Sequence, residues 1–274
     1  MPSNRQARTR RAFSLIELLV SIGIIGILIG LLLPALGGAR SSALQTVALS
    51  NVRSVGTQFA QFAGEQGAYP QQDLGEVPNG LDFGPDYIPQ DDVIMSAWYP
   101  GGVVIATTDY FDHSWMWPAM VAPIDEWPTY WETWVSPRKN QELPDLDDIG
   151  FDSDLQIRDM ISIVYSNSFV ARPEYWNGQS YQDDFSMLRE VRPHDVRFAS
   201  GKVILWDNDL SYMVGRDEPE RVDELLDAKT PMAFGDGHAE ALLPQDASEG
   251  VQNSMTGETT KLHNTADGVH GRDY

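Results

Sequence analysis

The sequence predicts an α+β protein: a long N-terminal helix, part transmembrane and part amphipathic, packed on an antiparallel β-sheet domain that carries a loop-rich insertion. Three observations lead there. Leu18 to Ala39 is a 22-residue stretch without a charge, long enough at about 1.5 Å per residue to cross a hydrocarbon core of about 30 Å. Residues 40–63 keep apolar side chains at three- and four-residue steps, the period of a helix with one buried face. The C-terminal part holds short β-rich runs broken by Gly, Asp and Asn, the pattern of strands joined by tight turns.

The chain begins with a basic block. Residues 1–12 carry Arg5, Arg8, Arg10 and Arg11 and no acid, leaving 262 residues with 15 basic and 40 acidic side chains and a formal charge of -25. Arginines before an apolar run and acids after it place the N-terminus in the cytoplasm and the bulk on the far side of a single span, by the positive-inside bias. The whole chain, at -21, repels phosphate backbones, which excludes sequence-independent nucleic-acid binding. Zero cysteines exclude a disulfide framework, a thiolate zinc site, an iron-sulfur cluster and a lipid-modified cysteine.

A cleavable secretory signal also opens with arginines and an apolar run, with a core of about 7 to 15 residues. The run here is longer, and Ala35-Leu36-Gly37 is only a passable small-residue cleavage site. Glu17 also interrupts it near its start, where a carboxylate costs on the order of 2 to 3 kcal/mol on insertion scales. A plain signal or anchor does better with leucine there, so Glu17 calls for a compensating partner.

Arg10-Arg11-Ala12 followed by Phe13-Ser14-Leu15-Ile16-Glu17-Leu18-Leu19-Val20 resembles the processing site of type IV pilins and type II secretion pseudopilins. The resemblance implies that a prepilin peptidase cuts between Ala12 and Phe13 on the cytoplasmic side and methylates the new amine; Ala12 stands where the family usually has glycine. It implies assembly with other pseudopilin subunits through an inner-membrane platform, with Glu17 as the assembly residue and Pro34 at the helix kink. The implied location is the inner membrane, single-pass, with the C-terminal domain periplasmic or in an extracellular fibre. Membrane lipid is then a partner as well. Cleavage would make the Phe13 amine a cation near the bilayer, and the Glu17 carboxylate is the natural counter-charge for such an amine on an adjacent subunit.

Past the span, Leu44, Val47, Ala48, Val52, Val55, Phe59 and Phe62 form one apolar stripe, with Ser, Thr, Asn, Gln and Arg opposite. This is an amphipathic continuation suited to a sheet, and Gly64, Gly67 and Pro70 end it. Gly26 and Gly30 have the spacing that lets neighbouring membrane helices approach closely. The stretch from Ser50 to Pro70, with an early asparagine at Asn51, a later glycine and the Tyr69-Pro70 exit, resembles a large pseudopilin-like group best known from planctomycete-type bacteria. That group also has an Asp-Gly hairpin, matched by Asp236-Gly237, and a Gly-Arg-Asp-aromatic tail, matched by Gly271-Arg272-Asp273-Tyr274.

The segments are then a leader at 1–12, a transmembrane half at 13–39, an amphipathic half at 40–64, a loop-rich aromatic insertion at 65–159, and the sheet with its tail at 160–274. The insertion is rich in proline and holds six of the eight tryptophans, at 98, 115, 117, 127, 131 and 134. Such a set either packs an irregular subdomain short of aliphatics or offers faces to a sugar or protein partner. In the last segment, 160–170 reads as a strand. Runs 202–206 and 211–214 read as a pair around a solvated Asp207-Asn208-Asp209 turn, and 231–234 with 238–243 as a hairpin closed by a primed two-residue Asp236-Gly237 turn.

Chemistry-bearing patterns are few. The acidic run from Asp145 to Asp154 fails as a calcium loop, because its fifth position is Ile149 and its twelfth Gln156, where oxygen ligands are required. Some secretion pseudopilins bind calcium near the C-terminal sheet, which makes Asp207 and Asp209 the remaining candidates. The five histidines show no zinc spacing, and no nucleophile elbow, phosphate loop or dinucleotide fingerprint occurs. No catalytic, cofactor-binding or metal residue is assigned, and no enzyme is expected. Two functions remain: a prepilin-like structural subunit of a type II secretion pseudopilus or type IV pilus-like fibre, or a membrane-anchored or fibre-tip binding module displaying a tryptophan-rich, acidic domain.

Overall fold

Helix α1 spans Leu15–Gln66, the first residues of the computed structural model, which describes 15–71, 95–98, 104–107, 111, 113–123, 126–137, 161–178, 187, 189–210, 212, 227–254 and 256–274. The chain divides into two compact units, Met1–Ala43 and Leu44–Tyr274. At its C-terminal end α1 runs through Gly64 and stops where Gly67 takes φ +81° and donates its N–H to Ala63 O at 2.9 Å. A residue without Cβ adopts that left-handed cap at no steric cost. Tyr69 then leaves buried, its N–H bonded to Val191 O at 2.8 Å and its ring edge-on to Phe169.

Within Leu44–Tyr274, strands β3 (Ile163–Tyr165), β4 (Val203–Asp207), β5 (Thr230–Phe234) and β6 (Ala239–Leu242) form an antiparallel sheet in that spatial order. A separate antiparallel pair, β1 (Met95–Trp98) and β2 (Val104–Thr107), precedes it. Val52, Val55 and Phe59 of α1 share one cluster with Ile163, Tyr165, Leu205 and Ala233. On the opposite face Val164, Val203, Trp206, Met232 and Phe234 pack with Leu210, Tyr212 and Leu262. Both faces are thus covered, which is why every residue of β4 and β5 is buried and why these strands read as continuous apolar runs. A register shift between Val203 and Leu205 turns both Ile204 and Leu205 toward the α1 side.

Three strand expectations change. The 160–170 run is β3 only over Ile163–Tyr165, after which Ser166 accepts from the Ser168 N–H and starts a 3-10 turn at Asn167–Phe169; serine offers the backbone that competing bond. Strand β4 pairs with β3 and β5 rather than with 211–214, of which only Tyr212 lies among the described residues. The β5–β6 hairpin has a three-residue loop, Gly235-Asp236-Gly237, closed by Gly237 N–H to Phe234 O at 2.9 Å. Only Gly237 needs positive φ, at +87°, as in a type I turn followed by a left-handed glycine.

Short helices α2 (His113–Val121) and α3 (Trp127–Trp134) bring the tryptophans inward. Trp117, Trp127, Trp131 and Trp134 are buried in the α1-side cluster. Trp117 donates to Ile163 O at 2.8 Å and meets Phe59 edge-on at 5.3 Å; Trp134 donates to Gln58 Oε1 at 3.3 Å. Asn51 on α1 donates to the carbonyls of Glu132 and Val135, satisfying acceptors that the end of α3 leaves open. The resemblance at Asn51 therefore has a structural use. Packing constrains Gly56: a Cβ there would meet Ala233 Cβ at 3.0 Å, so the glycine sets how closely α1 lies on β5.

The C-terminal tail closes the other cover. Asp273 reaches the fully buried Lys202, with Nζ–Oδ2 at 3.2 Å, and also accepts from Val203 N–H at 2.8 Å and from Thr265 Oγ1 at 2.6 Å. Lys202 Nζ also contacts Thr265 Oγ1. Burial pulls the Lys202 ammonium below its ordinary pKa, and the Asp273 charge opposes that shift. Tyr274 packs on Phe234 and donates its hydroxyl to Leu243 O at 3.0 Å.

Close approach at Gly56 and open space at Gly64, where an added Cβ meets nothing within 4 Å, make opposite expectations. Gly56→Leu lowers stability by about 1–3 kcal/mol through overpacking. Gly64→Ala raises it by a few tenths to about 1 kcal/mol by removing backbone freedom from the unfolded chain. Thermal melts of the detergent-solubilised chain, followed by tryptophan fluorescence, read both shifts.

Candidate functional site

Every side chain from Leu15 to Leu36 is exposed, and the most apolar 18-residue window of α1 has a mean hydropathy of 2.7 with none of it buried. A helix apolar on all sides, with no protein around it, has the composition of a membrane span. Glu17 stands in its first turn, where the helix dipole favours an anion. Ser21 returns its hydroxyl to Glu17 O at 2.7 Å, so that polar side chain is satisfied within the helix. The Cβ positions of Gly23, Gly26 and Gly30 meet no atom within 4 Å, leaving a bare flank that a second helix can approach. Pro34 lies inside α1, where its ring removes the N–H that would bond Gly30 O. The Ala12–Phe13 junction lies outside the described residues, as does the acidic run 145–154.

The flagged acids of the sheet are not in a solvated turn. Asp207, Asn208 and Asp209 are buried, because the chain leaving β4 turns under the second cover with Leu210 at φ +50°. Asp207 Oδ2 accepts from Ser136 Oγ at 3.2 Å and its Oδ1 from Asp209 N–H at 3.1 Å; Ser162 Oγ donates to Asp209 Oδ2 at 3.3 Å. Ser136 N–H donates in turn to Ser162 Oγ at 2.8 Å. The two carboxylates thus tie the end of α3, the approach to β3 and the exit of β4 together. Among the described residues no group of three or more His, Cys, Asp or Glu is placed to hold a metal ion.

Among the described residues one helix is long and apolar enough to cross a membrane; continued into an α+β head, it gives the mixed arrangement of pilin-like folds and suggests a membrane-anchored protein. The family described as the prokaryotic N-terminal methylation motif matches residues 7–33, a span that includes Ala12, Phe13 and Glu17. Over those residues the chain is similar to type IV pilins and pseudopilins. Comparison with curated proteins gives no match, and comparison with solved structures gives none.

Of the residues expected to matter, Glu17 and Pro34 lie on one helix and the tryptophans at 117, 127, 131 and 134 are core. The sequence pattern does not single out Lys202. A lysine abutting the apolar run Val203–Trp206 was the available signal, but nothing local points to Asp273, 71 positions on.

Burial is the main cause that pushes the Asp207 carboxyl up to about 7; the Asp209 charge adds to it, while the Asp209 N–H and Ser136 Oγ oppose it. The folded state therefore holds a proton that the unfolded chain, with an ordinary value of 3.8, releases. That contribution is complete below pH 4 and is lost as pH rises through about 7. Asp207→Asn removes this titration. The variant should melt higher than wild type at pH 8, and the difference should shrink toward pH 4; thermal melts across that range check it.

Proposed function

We propose that the chain is a prepilin-like structural subunit, cut between Ala12 and Phe13 and N-methylated by a prepilin peptidase. It then assembles with like subunits, through an inner-membrane platform, into a type II secretion pseudopilus or type IV pilus-like fibre. The observation that carries this reading is the match of residues 7–33 to the methylation motif, on a helix whose first 22 described residues are exposed. Before assembly the protein is a single-pass inner-membrane protein with a cytoplasmic N-terminus and a periplasmic head. The resemblances at Ser50–Pro70, at the Asp236-Gly237 hairpin and at the Gly271–Tyr274 tail extend the reading to the planctomycete-type group.

Glu17 is the assembly residue. Its carboxylate meets the cationic Phe13 amine of a neighbouring subunit, and in low dielectric that attraction is far stronger than in water. Desolvation offsets much of it, so the pair acts mainly as a register and recruitment device. Pro34 supplies the helix bend. A binding module that presents tryptophan faces is the weaker reading, since Trp117, Trp127, Trp131 and Trp134 are at most 3% exposed.

Glu17→Leu separates insertion from assembly. Membrane levels should stay equal or rise, because a costly charge is gone. Incorporation should fall at least about tenfold, since a buried amine left without its partner costs about 3–5 kcal/mol. Co-expression of the tagged variant with wild type, followed by its recovery in sheared fibres, measures this; incorporation equal to wild type at normal membrane levels contradicts the assignment.

A further inference from the structure

The C-terminal tail brings a carboxyl group against a primary amine in a dry site. The side chains of Lys202 and Asp273 are 0% and 1% exposed, and the buried Phe169 ring lies 5.9 Å from Lys202 Nζ. Lys202 Nζ stands 3.2 Å from Asp273 Oδ2 and 3.4 Å from Oδ1, so both oxygens, and with them the Cγ atom between, are held against the nitrogen. The backbone fixes this approach. The N–H groups of Asp273 and Tyr274 donate to Gly201 O at 2.7 and 3.1 Å, and Asp273 O accepts from the Ser248 N–H at 2.8 Å. The two carboxylate oxygens differ in their other partners. Oδ2 accepts from the Val203 N–H at 2.8 Å. Oδ1 accepts from Thr265 Oγ1 at 2.6 Å, and the same hydroxyl accepts from Lys202 Nζ, bridging nitrogen and oxygen.

We propose that Lys202 and Asp273 condense into an isopeptide bond, an amide between Nζ and Cγ. The reaction needs no further reactant. One ammonium proton passes through Thr265 Oγ1 to Oδ1, leaving a neutral amine beside a carboxylic acid, an exchange that a dry site favours because two charges disappear. Burial already pulls Lys202 below its ordinary pKa, against the Asp273 charge. The Nζ lone pair then attacks Cγ, and negative charge develops on Oδ2, where the Val203 N–H stabilises it. A second proton travels from Nζ by the same hydroxyl, the Cγ–Oδ1 bond breaks, and Oδ1 leaves as water. One Nζ–H remains, with Thr265 Oγ1 as its acceptor, and Oδ2 becomes the amide oxygen on the Val203 N–H. The product thus leaves no polar group orphaned. Fixed contact also replaces an encounter in solution, and well-oriented groups react as though present at effective concentrations on the order of 10⁵ M or more. The bond closes the chain from the start of β4 to a residue 71 positions on, so the tail cannot leave the sheet. It goes beyond the fibre reading and does not depend on it.

Trypsin does not cut after an acylated lysine. Digestion of the detergent-solubilised full-length chain should therefore yield residues 198–216 as one peptide, branched at Lys202 to the peptide that begins at Asp273, and lighter than the two together by one water. Tandem mass spectrometry locates the branch. Lys202→Met and Asp273→Ala should each give unbranched peptides only. Thr265→Val keeps both reacting groups; the appearance of its branched peptide with time after synthesis should slow about a hundredfold, and Thr265→Ser should restore it. Unbranched Lys202 and Asp273 peptides from the folded wild-type chain overturn the proposal, as does a branch that joins a different lysine or acid. A Thr265→Val chain that couples at the wild-type rate overturns the proton relay. The wild-type digest decides even where a substituted chain fails to fold.

Discussion

The apolar run from Leu15 to Leu36 buries no side chain against the protein, so it needs another apolar solvent. Exposed contiguous apolar surface of this extent is not tolerated by a soluble chain, and a lipid bilayer or a bundle of like helices supplies what the head does not. The same helix changes composition before its buried set begins at Ala48: six residues from there to Ala63 are buried, and the opposite face is Ser, Thr, Arg and Gln. One element thus meets two solvents in succession. Its acid at Glu17 stands in the first turn of the apolar stretch, where the helix dipole favours an anion.

The head spends its polar groups differently. With α1 on one face of the sheet and the C-terminal segment on the other, β4 and β5 have no solvent side, and the charges nearest them must be satisfied internally. Lys202 is answered by Asp273 and Thr265, and Asp207 by Ser136 and the Asp209 N–H. The first pair fastens the tail to the start of β4, and the second fastens the end of α3 to its exit. Removing Asp273 strands the buried Lys202 charge, which costs more than the intact pair contributes. These contacts specify one arrangement of loops around a small sheet.

What was legible in the sequence was whatever has a local period or a local turn chemistry. The apolar run, the three-and-four spacing of Val52, Val55 and Phe59, and a turn with glycine at 237 all follow from neighbours within a few residues. Burial of Asp207 was not legible, because Asp-Asn-Asp is as good a signal for a solvated turn; what holds its carboxyl inside is Ser136, 71 positions away at the end of α3. The turn itself was read one residue short, since Gly235 and Gly237 both flank Asp236 and nothing in the pattern says which glycine takes positive φ. The tryptophans were ambiguous between core and surface for a similar reason: their partners Phe59, Gln58 and Ile163 lie on distant elements. Lys202 and Asp273 meet across 71 positions, beyond any local pattern.

The central claim is that this helix reaches its working place through prepilin processing, and the N-terminus of the native chain tests it most directly. Mass spectrometry of protein taken from membranes or fibres should find a first residue of Phe13 carrying a methylated amine, with the four-arginine leader gone. A chain that keeps residues 1–12, or one that begins near Gly37 or Gly38 as a secretory signal peptidase would leave it, contradicts the account.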